Sequence, residues 1–171
     1  VALPAEHTGK YDFQSILTHE IGHAAGFLSL ATQTGTFQVQ SGNASAAYST
    51  MLYTRYDSLL TNQEGQSIVN KAGNGNTAFT LGETLSLGDT GLTAYNPATW
   101  QQGSSMAHID SASDPDALMQ YSISPDTYHR TLTDGEMELM RSMGWKMVPE
   151  PGTSTLSLLG LAVLALRRRR C

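Results

Sequence analysis

Residues 18–27 read Thr-His-Glu-Ile-Gly-His-Ala-Ala-Gly-Phe. His19 and His23 stand four apart, so on a helix both imidazoles leave the same face, one turn from each other. That spacing brings two neutral nitrogens within reach of one Zn²⁺ at about 2.0–2.1 Å. Glu20 projects beside the pair without having to ligate, and a carboxylate there can take a proton from a metal-bound water. The stretch constrains the fold strongly: one edge of the helix must carry ligands while the other meets a core. A helix over 13–25 satisfies this. Asp12 suits its N-cap and Gly26 its C-terminal end, and Ile16, Leu17, Ile21 and Ala24 supply the apolar positions.

The remaining sequence bounds the class of protein. A chain of 171 residues is long enough for one domain with a core. The formal net charge is −5, but four of the ten basic residues are Arg167–Arg170. Residues 1–148 carry six basic and fourteen acidic side chains, a net of −8. No basic stripe points to nucleic acid. The lone cysteine, Cys171, leaves no intrachain disulfide, so the fold rests on packing and on metal. The first residue is Val1, and no basic, apolar leader precedes the helix. The expectation is the C-terminal part of a longer precursor.

Residues 29–50 are rich in Ser, Thr, Gln, Gly and Ala and read as loop with a short strand at 37–39. Residues 51–60 fit a helix or an edge structure, and 61–98 are turn-rich with β-like runs such as 77–81. The whole of 29–98 reads as an insertion covering one side of the site. Thr133-Asp134-Gly135-Glu136 is a capping box that opens a final helix. Leu139, Met140 and Met143 form its inner stripe, and Gly144 stops it before Trp145. His7 and His129 read as surface residues, His129 with a possible hand in substrate binding. Asp114 and Asp116 give only slight grounds for calcium.

Residues 149–171 form a separate unit. Pro149-Glu150-Pro151 precedes a small and apolar run, 153–166, and then Arg167–Arg170. The run is short for a span, which needs about 20 residues, but flanking arginines can snorkel to the bilayer edge. The arginines belong on the cytoplasmic side, which puts residues 1–148 on the other. The order Pro-Glu-Pro, apolar segment, Arg cluster resembles the PEP-CTERM sorting tail of exported proteins in Gram-negative bacteria. The resemblance implies cutting by an exosortase-type enzyme, a transient inner-membrane anchor, and then release to the cell surface or outside.

Two histidines do not complete a catalytic zinc site, which takes three protein ligands and a water. His-Glu-x-x-His-x-x-Gly resembles the metzincin metallopeptidases. In their simplest pattern the third ligand falls at Ser29, which is a poor zinc ligand. A thermolysin-like Glu some twenty residues on would fall near Asn43. Gly103-Ser104-Ser105-Met106-Ala107-His108, followed eleven residues later by Met119, is similar to the leishmanolysin-like branch. There a long insertion separates the helix glycine from the third histidine. The resemblance implies His19, His23 and His108 as Zn²⁺ ligands, Glu20 as acid/base, Gly26 as turn glycine and Met119 as the Met-turn methionine. In some metzincins a Met-x-Tyr tyrosine reaches the metal or the oxyanion, and Tyr121 holds that position. The expected fold is α+β: the C-terminal part of a metzincin-like domain over 1–148, with the active-site helix, a loop-rich insertion, a Met-turn and a C-terminal helix. Its upstream β-sheet is expected either in a missing upstream part or lost from a truncated copy. The expected function is a zinc endopeptidase acting on extracellular protein or peptide. The other reading is a non-catalytic surface or biofilm-matrix protein stabilised by structural zinc.

Overall fold

The computed structural model describes residues 8–37, 39–41, 49–73 and 77–146. The sorting tail and His7 lie outside these residues. Helix α1 spans Phe13–Ala24, and its start has a clear local cause. Asp12 is in the extended region, and its Oδ2 accepts from the Ser15 amide at 2.8 Å and the Ser15 hydroxyl at 2.7 Å. The carboxylate also binds Arg130 from the far end of the chain, with Nε donating at 2.9 Å and Nη2 at 2.6 Å. This bidentate pairing ties the helix start to the segment leading into the last helix. The Arg130 guanidinium holds the Asp12 carboxyl well below the usual carboxylate range. At the other end Ala25 is the C-cap, and Gly26 follows at φ +119°, a conformation that lets the chain leave the helix axis.

Strands β1 (Val39–Ser41) and β2 (Ser49–Met51) pair antiparallel, Val39 opposite Met51. A 3-10 turn at Asp57–Leu59 leads into β3 (Leu60–Thr61). Helix α2 (Ile68–Gly73) follows, and β4 (Ser86–Leu87) pairs antiparallel with β3. Helix α3 spans Asp134–Ser142. Among the described residues this is a small mixed α/β assembly of three α-helices and two two-stranded sheets, and no helix is long and apolar enough to cross a membrane.

Three local expectations change. The strand expected at 37–39 begins instead at Val39, while Phe37 makes a single bridge to Ala31. Residues 51–60 resolve into the end of β2, a bend and the 3-10 turn rather than one element. Residues 77–81 form no strand: the Ala78 and Phe79 amides both donate to the Gly35 carbonyl, at 2.7 and 3.4 Å. Gly35 has φ +70°, and a Cβ there would collide with the Phe79 carbonyl oxygen, so this close approach needs glycine.

The larger correction concerns 29–98. It does more than cover the site; it supplies much of the core. Phe37, Tyr56, Leu60, Ile68, Phe79, Leu85, Leu87 and Leu92 are all buried there, against Met106, Ile109, Leu118, Met119 and Leu139. Short polar loops hid this, because the apolar residues come singly or in pairs and match neither helical nor strand periodicity over any length.

A set of backbone bonds then runs from β4 toward the end of the fold. The Ala94 amide donates to Leu85, Tyr95 to His108, Asp110 to Thr93, and Ile109 to Met119, each at 2.8–2.9 Å. Helix α3 carries the expected capping box: Thr133 Oγ1 accepts from the Glu136 amide and Glu136 accepts from the Thr133 amide. Leu139 is fully buried, with Met140 and Met143 partly so beside it.

Removing the Asp12 cap in Asp12→Ala should cost about 1 kcal/mol from the lost N-cap alone. Asp12→Asn keeps a capping oxygen and loses the charge pairing with Arg130. The folded carboxyl titrates lower than the unfolded one, so its contribution is complete above the unfolded value near ~3.9. It disappears as pH falls through the lower folded value. Denaturant melts should therefore separate wild type from Asp12→Asn at neutral pH and bring them together in strong acid.

Candidate metal centre

Helix α1 presents His19 and His23 from successive turns, and the backbone ladder brings in His108 from the Ser104–His108 loop. The three Nε2 atoms converge: His19 to His23 is 3.1 Å, and His108 lies 3.2 Å from each. The rings of His19 and His23 meet edge-on at 86°, as do His23 and His108 at 83°. His19 and His108 are buried, and His23 is partly so. Among the described residues this is the group of ionisable side chains with metal-ligand spacing.

The other ring nitrogen settles the tautomers. His19 Nδ1 lies 2.9 Å from the Leu118 carbonyl, His23 Nδ1 2.6 Å from Phe27, and His108 Nδ1 2.8 Å from Ser104. A carbonyl can only accept, so each Nδ1 carries the proton and donates. In the neutral rings each Nε2 is then a bare lone pair, and the three lone pairs face one another. Burial, aided by the neighbouring His23 and His19, pushes His108 down to about 4, so its ring is neutral at pH 7. Three acceptors crowded without a donor repel one another unless a cation sits among them. Ligands at about 2.0–2.1 Å in tetrahedral array are separated by roughly 3.3–3.4 Å, close to the spacing here. The donor set therefore fits a tetrahedral divalent ion with one position left for water. The carbonyls that orient the rings are the outer partners such a site needs.

Met119, which is fully buried, forms a floor against α1 at Gly22, between the two helix histidines. It packs there so closely that a Cβ on Gly22 would overlap the Met119 sulfur. Glu136 holds this floor in place. Its carboxylate accepts from the Met119 amide at 2.7 Å, the Leu118 amide at 3.1 Å and the Thr133 amide at 2.9 Å. The Leu118 carbonyl in turn orients His19. Asp57, also buried, secures the chain after Gly26, accepting from Ser29 Oγ at 2.6 Å, the Leu30 amide at 3.0 Å and the Thr54 amide at 2.8 Å. Ser29 is thus bound to a carboxylate, in keeping with its rejection as a ligand. The sequence reading found the capping role of Glu136 but missed its reach to Met119, and it missed Asp57. A lone Asp before a Ser-Leu-Leu run carries no local signal of such a role.

The remaining candidates are elsewhere. Glu20 is exposed on α1, makes no hydrogen bond or ion pair among the described residues, and bears electrostatically on His108. Tyr121 is 39 % exposed and stacks on Tyr95, centroids 3.8 Å apart and planes within 5°. His129 is half-buried, with Nδ1 on the Asp116 carbonyl and its amide donating to Ser15 Oγ, a structural bracing of α1. Asp114 accepts from Thr133 Oγ1 at 2.7 Å and from the Asp116 amide, so both of its oxygens are engaged in bracing the turn.

Gly22→Ala should force Met119 off the helix. The expected loss is about 1–3 kcal/mol of stability from overpacking and roughly 10–100-fold in affinity for a divalent cation. Denaturant melts and competition with a chromophoric chelator measure the two separately.

Neither the curated proteins nor the solved structures compared with this chain include a match. Residues 148–170 match the PEP-CTERM protein-sorting motif. The match covers the expected tail to within a residue at each end. It identifies an exported protein with a transient membrane-anchoring tail, cut by an exosortase-type enzyme to leave the protein at the cell surface or outside.

Proposed function

We propose that the chain is a zinc-dependent endopeptidase of the metzincin type, acting on extracellular proteins or peptides. The observation that carries this reading is the convergence of three Nε2 lone pairs within 3.1–3.2 Å, each ring held by a backbone carbonyl through Nδ1. Met119 beneath the helix histidines and the Gly26 turn agree with the same family pattern. His19, His23 and His108 would hold the ion. Zinc supplies Lewis acidity there, lowering the pKa of water and polarising a carbonyl.

Glu20 is the general base. It takes a proton from the attacking water and returns it to the leaving amine once the tetrahedral centre collapses. Its exposure suits that work: a carboxylate that shuttles protons must meet both water and substrate. Among the described residues no hydrogen bond or ion pair accounts for its presence on α1. Tyr121 is the candidate donor to the oxygen on which charge develops. Stacking on Tyr95 limits the motion of its ring and leaves the phenol edge on the surface.

The alternative, a zinc-stabilised surface protein without activity, would have no use for a Glu20 that lacks a partner among the described residues, and would more often close the ion with a fourth protein ligand.

Two variants test the reading on an unfolded protein substrate. Glu20→Ala should retain one zinc per chain by elemental analysis and lose roughly 10²-fold or more in kcat/KM. Equal activity in the variant, or no chelator-sensitive cleavage by the zinc-loaded wild type, would overturn the assignment. Tyr121→Phe should lower kcat by roughly 10-fold or more with little change in KM if the phenol stabilises the oxyanion, and should leave kcat unchanged if the ring only packs on Tyr95.

A further inference from the structure

Helix α1 buries its ligand edge and leaves a second edge bare. Leu17 is 48 % exposed and Ile21, one turn on, 57 %. Between α1 and α3 runs an apolar groove of about 110 Å³, lined by Ile21, Ala25, Leu132 and Met140 among others. Trp145 is hydrogen-bonded to two residues of its lining, Met140 and Ala25. The Trp145 amide donates to Met140, and the indole N–H donates to the Ala25 carbonyl at 2.8 Å. With its one polar group satisfied, the exposed half of the ring offers carbon alone.

Basic residues gather at the same place. Residues 1–148 hold six lysines and arginines, and Arg55, Arg141 and Lys146 are three of them. Arg55 donates to the Ser142 carbonyl at the end of α3, Arg141 lies on α3 and pairs with Glu138, and Lys146 follows Trp145. All three are exposed. Set against Glu138 on α3 and Glu20 beside Ile21, these three cations leave a slight positive excess next to the apolar groove, in a domain whose net charge is −8.

The sorting tail leaves from this spot. Only residues 147–152 separate Lys146 from the apolar run that begins at Thr153. The seven Cα–Cα steps from Lys146 to Thr153 span at most about 25 Å. While the tail is anchored, this face is held within that distance of the lipid headgroups. A tether this short makes even a weak surface contact intramolecular. Wherever the leaflet facing the domain carries anionic lipid, the acidic remainder is repelled and the basic face is the one turned toward it.

We propose that the anchored protein rests on the membrane through this face. Trp145, Ile21 and Leu17 meet the interfacial layer, and Arg55, Arg141 and Lys146 meet lipid phosphates. Tryptophan is favoured at that depth. Cutting the tail removes the tether and leaves a net-acidic domain that detaches, so processing would release the protein in one step. The proposal does not depend on catalysis.

Trp145 is its own probe. The full chain, carrying Trp100→Phe to leave one indole, is reconstituted through its tail into phosphatidylcholine–phosphatidylglycerol vesicles, with flotation to verify anchoring. Trp145 should then be protected several-fold from acrylamide, shifted to the blue and quenched by brominated lipids. Lys146→Glu, which breaks no described contact, should restore acrylamide access while the chain still floats. Quenching of the anchored chain equal to that of the charge-reversed variant would overturn the proposal. Protection that appears without lipid and grows with protein concentration would assign the face to a second copy and overturn it equally.

Discussion

Three imidazole lone pairs facing one another across about 3.2 Å is an arrangement that a protein does not reach by packing alone. Each ring must be turned and its tautomer fixed, and each is fixed by a different carbonyl: Phe27, four residues past His23, Leu118 beside Met119, and Ser104 at the start of the His108 loop. A cation among them would relieve the mutual repulsion of the bare nitrogens. The fold can therefore be understood as a frame that holds these three carbonyls, and metal binding would contribute directly to its stability.

Two buried carboxylates maintain that frame, and both do so by accepting backbone amides. Glu136 joins the turn bearing Leu118 and Met119 to the start of α3. Asp57 joins the turn after α1 to the segment before β3. A buried charge is costly unless it is fully hydrogen-bonded. Here it gathers amides that irregular segments would otherwise leave without partners. This explains how a region with so little regular structure can be well packed. Core side chains drawn from 29–98 close over a network of turns, and the turns are satisfied by side chains rather than by long ladders.

The proposed membrane-facing edge and the candidate metal-binding edge lie on the same helix. α1 gives Glu20, His19 and His23 to one and Leu17 and Ile21 to the other. The exit of the chain at Trp145, hydrogen-bonded to the end of α1, links the orientation of the candidate site to that of the tail. On the proposed reading, anchoring and chemistry meet on one short element, in a chain whose sorting motif begins two residues after the last described residue.

Elements whose causes are local were legible in the sequence. The α1 helix with its Asp12 cap, the Thr133–Glu136 capping box and the His19–His23 pair each depend on residues within four positions of one another. Such contacts are dictated by helix geometry before any tertiary structure forms. The sorting tail was legible because its signal is composition and order. His108 and Met119 were reached through family resemblance, and their own neighbourhoods carry no local mark of the role. The rest was decided by chain closure. His108 lies 89 residues from His19, and the carbonyl that orients His19 lies 99 residues away. The Phe79–Gly35 contact, the reach of Glu136 to Met119 and the burial of Asp57 likewise join segments that are distant or carry no periodic pattern. Periodicity reports which face of an element is apolar; it cannot report which distant backbone group that face will meet. Only the tertiary structure supplies those partners, because each exists only once the intervening loops have closed.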